Sequence, residues 1–260
     1  MTDAARLLAA WDAELAGTPG TFSLVLRSGA LTVAREPDLP HYAASTMKLA
    51  VLGALLADEV AGSVTVHDRF PSAVGGQFTL LRADDQDDWT WDRLGTDVDL
   101  FVLADRMITV SGNLAADLVL DRIRFDAVRR YLDSLGLADL RVDRLIGDSA
   151  AQEQGVTNTV TAAGLAELML RQGPDAVALL ARQTHLDMIP AGLPAGAWSA
   201  SKGGWVTGVK NDVALVRPSA APPYVLAVCT TTDLSDPDGM ALVARLSAVT
   251  WEHWNRWHAS

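Results

Sequence analysis

The sequence predicts a mixed α/β (α+β) fold: an antiparallel sheet built from both chain ends and flanked by helices, with an all-helical lobe inserted between. Three observations predict it. Strand-like runs gather near the termini, at 21–35 and 198–231. Helix-period runs fill the middle, from 97 to 183. A helical pattern also brackets the strands at each end, so the sheet has helices to cover it.

The first helix is expected over 3–16, with Leu7, Leu8, Trp11 and Leu15 on one face. Thr21–Arg27, the Ser28-Gly29 turn and 31–35 read as a β-hairpin, closed by Pro37 and Pro40. A strongly apolar helix begins at Ser45 and runs through Leu49, Val51, Leu52 and Leu55 to about Glu59. Residues 61–98 are turn-rich, and their acidic cluster, Asp84, Asp85, Asp87 and Asp88, is expected to be a solvated surface. Helices follow at 97–110, 114–123 and 125–135, then, after a polar stretch at 142–158, at 161–171 and 175–183. Strands return at 198–202, 213–217 and 224–231, and a last helix over 238–258 carries Leu242, Leu246, Trp251 and Trp254. The expected organisation is one domain, 1–260, with an α/β lobe (1–40 and 195–260) and a helical lobe (41–194). A cleft between two such lobes suits a small molecule.

Composition narrows the function classes. The 260 residues are 49% hydrophobic and 20% charged, a globular balance. A net charge of −11 opposes phosphate neutralisation, so nucleic acid is excluded as a partner. No apolar run reaches the ~18–20 residues that span a bilayer, so no membrane partner is expected. The N-terminal residues form an amphipathic pattern interrupted by Asp12 and Glu14 rather than a leader, which points to a cytoplasmic protein. The single cysteine, Cys229, excludes an intrachain disulfide and a multi-cysteine metal site. Neither a metal nor a cofactor is expected. Lysine occurs at only three positions, Lys48, Lys202 and Lys210, against eighteen arginines. An amine can be deprotonated when buried and a guanidinium effectively cannot, so each lysine is a candidate functional group.

Ser45-Thr46-Met47-Lys48 places a hydroxyl and an amine at i and i+3 of one helix face. A serine in the first turn also has an unsatisfied backbone N–H. The four residues thus hold a nucleophile, a base and half an oxyanion hole. Ser111-Gly112-Asn113 follows 66 residues after Ser45, in a turn between helices, and Lys202-Gly203-Gly204 another 91 residues on, at a strand. Taken singly, these read as a helix cap, a helix–helix turn and a glycine-rich strand end. The five histidines lack serine or metal-ligand spacing; Cys229 lies in an apolar strand; Trp251, Trp254 and Trp257 repeat at helical spacing and read as core or interface.

Together, in this order and at these separations, the three motifs resemble the serine β-lactamase and penicillin-binding-protein superfamily, most closely class A β-lactamases. Flanking residues extend the resemblance: Ile108-Thr-Val-Ser-Gly-Asn-Leu-Ala-Ala-Asp-Leu, Ala191-Gly-Leu-Pro-Ala-Gly and Gly208-Val-Lys-Asn-Asp-Val-Ala-Leu-Val-Arg-Pro. It implies Ser45 as nucleophile, Lys48 as its activating amine, Ser111 as proton shuttle and Asn113 as the substrate-amide contact. It further implies Lys202 as the cation facing the serines and a substrate carboxylate. The oxyanion hole falls to the backbone N–H groups of Ser45 and Trp205, beside Gly204. Two neighbouring cations, Lys48 and Lys202, disfavour each other's charge, which would leave one amine neutral near pH 7.

The chain also departs from the pattern. Class A enzymes carry a loop Glu that activates the deacylating water. Here Leu145 or Ile146 stands in that position, and Asp148 and Glu153 are the nearby carboxylates, out of register. Gly112 replaces an Asp, Gly203 replaces a hydroxyl residue, and Trp205 sets a large ring beside an oxyanion N–H. Lys210 is the candidate helper for a substrate carboxylate. The expectation is a serine hydrolase that acylates Ser45 with an amide, β-lactam or ester, with weak β-lactam turnover. The alternatives are a non-turnover binding protein of the same fold, and a DD-peptidase.

Overall fold

The structure is a computed structural model and describes residues 1–259. The chain divides into two compact units. One comprises Met1–Thr46, Val160–Gln172 and the segment from Leu186 onward; the other comprises Met47–Thr159 and Gly173–His185.

The first unit is a five-stranded antiparallel sheet with helices. Its strands are β1 (Thr21–Ser28), β2 (Leu31–Arg35), β3 (Trp198–Val206), β4 (Val209–Arg217) and β5 (Tyr224–Thr231). They lie in the order β2-β1-β5-β4-β3. Tight turns join the two hairpins, with Gly29 at φ +54° and Gly208 at φ +82°, angles that favour glycine. Helix α1 (Asp3–Leu15) buries Leu7, Trp11 and Leu15, and helix α8 (Asp236–His258) buries Leu242, Leu246 and Trp254. Both contribute to one apolar core with Leu24, Leu26, Leu226 and Val228 of the sheet. Trp11 Nε1 donates to Thr250 Oγ1 at 2.9 Å and ties the helices together.

Strand β4 begins four residues earlier than expected, at Val209, and so takes in Lys210, Asn211 and Asp212. These polar side chains are buried and hydrogen-bonded rather than loop-borne. Helix α6 (Ala162–Leu170), expected in the helical lobe, packs on β1, β4 and β5 instead. Its burial extends nearly round the helix, and Glu167 bonds Arg27 of β1 at 2.8 Å. A strand such as β5, buried from Tyr224 to Thr230, needs this second cover. The division at 41–194 is corrected accordingly.

The second unit is helical. Helix α2 (Lys48–Ala57) packs against α3 (Leu100–Thr109), α4 (Asn113–Ile123), α5 (Phe125–Ser134) and α7 (Pro174–Leu180). Leu49, Val51, Leu52 and Leu55 are fully buried, and the Tyr131 ring lies where a Cβ on Gly53 would stand. No helix among the described residues is long and apolar enough to cross a membrane.

Candidate active site

In the sheet unit, Ser45 lies in a 3-10 turn, Ala44–Met47, that the chain enters through Ala44 at φ +46°. Gly204 lies against this turn: a Cβ there would stand 2.5 Å from the Ser45 nitrogen and 2.6 Å from the Thr46 nitrogen. Only glycine lets strand and turn approach so closely. Opposite Gly204 in the ladder, Asn211 Nδ2 donates to Tyr42 O at 2.8 Å, and its Oδ1 accepts from Thr230 N at 3.0 Å. The backbone leading into Ser45 is therefore pinned to the sheet.

Residues paired across β3 and β4 share a face, and alternate pairs face opposite ways. Lys202 and Gly204 thus share a face, with Asn211 and Val213. Lys202 is fully buried and donates to Gly203 O at 2.7 Å. Gly203, Trp205, Lys210 and Asp212 share the other face. A side chain on Gly203 would meet the Met188 methyl at 2.6 Å, so a hydroxyl residue fits only if that methyl moves. Asp212 Oδ2 accepts from Ile189 N at 2.9 Å. Burial pushes its carboxyl up to about 7, against the Ile189 N–H and the charge of Lys202.

Two expectations are corrected on this face. Trp205 packs half-buried against the apolar core, so its ring is a packing group. Lys210 is not placed as a carboxylate helper. Its amine donates to Val206 O (2.7 Å), Val209 O (3.1 Å) and Asp236 Oδ1 (2.8 Å), which uses all three protons. Its stem packs on Gly239 of α8, where a Cβ would come 2.9 Å from Lys210 Cγ.

In the helical unit, Lys48 opens α2 and is fully buried. Its amine donates to Ser111 O (2.6 Å), Ser111 Oγ (3.2 Å) and Asn113 Oδ1 (2.8 Å). Three sequence-selected residues therefore meet at one amine. Burial lowers the Lys48 pKa to about 8, opposed by the charges of Asp85, Asp117 and Asp87. The sequence reading assigned a neutral amine to a neighbouring cation; burial is the leading cause here. Ser111 is held at φ +58°, uncommon for a residue with a side chain.

The acidic cluster is a solvated surface only in part: Asp84 and Asp88 are exposed, whereas Asp85 is half-buried and Asp87 buried. Asp85 Oδ1 and Oδ2 accept from the Asn113 and Leu114 N–H groups, both at 2.8 Å, and anchor the start of α4. Asp84 O accepts from Asn113 Nδ2 at 2.8 Å. Asp87 is buried and paired with Arg106.

Sequence reasoning missed Asp117. It lies one turn along α4 from Asn113, fully buried, and accepts from Ile146 N at 2.8 Å through Oδ1. Its Oδ2 has no hydrogen-bond partner among the described residues, and burial holds its carboxyl well above the usual range. The signal was a single carboxylate inside the apolar run Leu114–Leu120. Leu145 is buried and Ile146 half-buried. Asp148 is consumed as a cap and loop anchor, accepting from Ala151 N, Ser72 Oγ and Ala73 N, and Glu153 is exposed.

Comparison with known proteins gives the family. A family model described as the β-lactamase enzyme family matches residues 3–254. A β-lactamase of Streptomyces lavendulae is 35% identical over 162 residues, 55% of this chain and 52% of that protein. The chain thus spans about half the length of that relative. A class A β-lactamase structure from Bacteroides cellulosilyticus superposes with a TM-score of 0.82 at 19% identity, covering 98% of this chain and 99% of that one. A leucine-to-glutamate mutant of PBP-A, solved as an acyl-enzyme with penicillin G, gives a TM-score of 0.80 at 20% identity, covering 97% of each chain. At such identities these two structures speak for the fold.

Proposed function

The chain belongs to the β-lactamase enzyme family, and on that premise we propose that it is a serine hydrolase that forms an acyl-enzyme on Ser45 and releases it slowly. The observation that carries this reading is the Lys48 amine. It is buried, its pKa is lowered to about 8, and the neutral oxygens Ser111 Oγ and Asn113 Oδ1 accept from it and hold it in place. An amine poised near neutral pH is suited to general-base work.

In the proposed reaction, Lys48 as free amine takes the Ser45 hydroxyl proton while Oγ attacks the substrate carbonyl. The oxyanion is received by the N–H groups of Ser45 and Trp205. The Lys48 proton then passes through Ser111 Oγ to the leaving nitrogen or oxygen, and the bond to the leaving group breaks. Asn113 binds the substrate amide, and Lys202 attracts its carboxylate. Substrates are small molecules with an amide, β-lactam or ester bond.

The water step distinguishes this chain within the reading. Leu145 and Ile146 cannot accept a proton, and Asp148 is already committed to a cap. Loss of one positioned base typically costs ~10²–10⁴ in rate, so deacylation of a tethered β-lactam becomes limiting. The test is intact-mass spectrometry after β-lactam exposure, paired with steady-state nitrocefin hydrolysis and with Ser45→Ala as control. A long-lived adduct on wild type, absent from Ser45→Ala, is expected. Rapid turnover without an adduct would overturn slow release. No adduct and no hydrolysis of either a β-lactam or an ester panel would overturn the serine-hydrolase reading itself.

A further inference from the structure

Gly112 is not required by its backbone: its φ of −55° and ψ of 127° suit any residue. It is required by space. A Cβ on Gly112 would lie 2.9 Å from both Cβ and Oδ2 of Asp87, a residue 25 positions earlier on a separate loop. Asp87 is buried there, with Oδ1 accepting from Arg106 Nε at 2.9 Å and from Arg106 Nη2, and Oδ2 accepting from Thr90 Oγ1. The same Arg106 accepts the Gly112 N–H through its backbone carbonyl at 3.1 Å. Arg106 therefore grips the Asp87 carboxylate with its guanidinium and the motif's central residue with its main chain.

We propose that Asp87 is a positioning residue for the Ser111-Gly112-Asn113 turn, supplying from a separate loop the carboxylate that relatives of this pattern carry within the motif. The inference rests on the acyl-transfer reading for its functional consequence, though its geometry is independent of it. Its route is short. Asp87 packs against Gly112 and fixes the turn; the turn holds Ser111 at φ +58°; Ser111 and Asn113 then present the three oxygens that receive the Lys48 amine. Asp85, two residues away, grips the next two N–H groups of the turn, so the whole 84–87 segment acts as its brace. Asp87 is also among the charges that favour protonated Lys48.

The test is a reciprocal exchange: Gly112→Asp, Asp87→Gly and the double variant. Acylation is followed with a fluorescent penicillin and a chromogenic ester, and folding by thermal melts. Each single variant should lose acylation by about 100-fold or more and melt lower. The double variant should recover acylation to within about tenfold of wild type, because the new carboxylate grows into the space and partners that Asp87 vacates. Singles and double equally inactive, with all three folded, would overturn the proposal. So would Gly112→Ala acylating at the wild-type rate. If a single variant fails to fold, Asp87→Asn keeps the shape: it should slow acylation and shift its pH midpoint below that of wild type, which a purely steric brace would not do. An unmoved midpoint and rate overturn the positioning role. If wild type itself never acylates, the functional reading falls, and the melts still decide the exchange: no recovery of melting temperature in the double variant overturns it.

Discussion

Two buried lysines, one in each unit, have opposite fates. Lys48 and Lys210 are both almost completely buried, and each amine donates to three named oxygens. The Lys48 acceptors are a carbonyl, a hydroxyl and an amide oxygen, all neutral. Those of Lys210 include the Asp236 carboxylate. The Lys210 amine has a carboxylate among its acceptors, whereas the named acceptors of Lys48 are neutral and the charges of Asp85, Asp117 and Asp87 only partly offset the effect of its burial. Burial alone therefore does not make a reactive amine. The identity of the third acceptor separates a structural lysine from a candidate base, and scarcity in the sequence does not reveal it.

The largest expected effect tests the Lys48 side of this comparison. Lys48→Arg keeps the charge and removes the removable proton, so acylation should fall by roughly 10²–10⁴-fold. In wild type the acylation rate should rise with pH and level off above about 8, because the free amine is the active form and forms as pH passes the lowered pKa. Fluorescent-penicillin labelling across pH 6–10 checks both. A flat profile, or a labelled Lys48→Arg variant, would make Lys48 no more reactive than Lys210.

Lys210→Met sharpens the other side. It leaves Val206 O and Val209 O without their charged donor and strands Asp236, which is half-exposed and can take water instead. Stability should drop by about 1–3 kcal/mol, seen as a lower chemical-denaturation midpoint, while acylation changes less than about twofold. A large loss of acylation with unchanged stability would return Lys210 to the substrate's carboxylate.

What was legible in the sequence follows from the range of each interaction. Ser45 and Lys48 are three residues apart, so pairing them needs only local periodicity, although Ser45 falls in a 3-10 turn and Lys48 opens the α-helix after it. The strands of the sheet unit were visible because short apolar runs bounded by turn residues are a local signal. The acidic cluster was partly misread because its meaning depends on Arg106 and on the N–H groups at Asn113 and Leu114, nearly 20 residues or more away. Helix α6 shows the same limit: apolar positions declare that a helix is buried, not which layer buries it. Lys210 was not legible in this way, because the strand was expected only from 213; the register with β3 puts it on the opposite face from Asn211, Lys202 and Gly204. Gly112 and Gly203 looked like losses in sequence, whereas in space each adjoins a side chain from elsewhere, Asp87 and Met188.

His41 supplies the smallest expected effect and a control for burial by itself. It is a buried base in the sheet unit, bonded to Ser23 Oγ at 3.0 Å and Thr231 Oγ1 at 2.9 Å, and burial lowers its pKa from 6.5 to about 4. Hydroxyls donate or accept, so the neutral ring is satisfied in either tautomer and nothing there calls for charge. The sign of the linkage is fixed by that lowering. Above pH 6.5 both folded and unfolded states hold a neutral ring, and the contribution to stability is complete. Between 6.5 and about 4 the unfolded chain binds the proton and the folded one resists it, so stability falls as pH falls, by about 1.4 kcal/mol per pH unit. At pH 5.5 the loss is therefore about 1.4 kcal/mol. His41→Gln, which keeps a donor and an acceptor but cannot titrate, should flatten this part of the profile while lowering stability at pH 7. Denaturation midpoints of both proteins at pH 7.5 and 5.5 measure the difference. An equal acid loss in the variant would show that His41 is not the group whose burial resists the proton, and the contrast drawn from Lys48 would then have to rest on the amines alone.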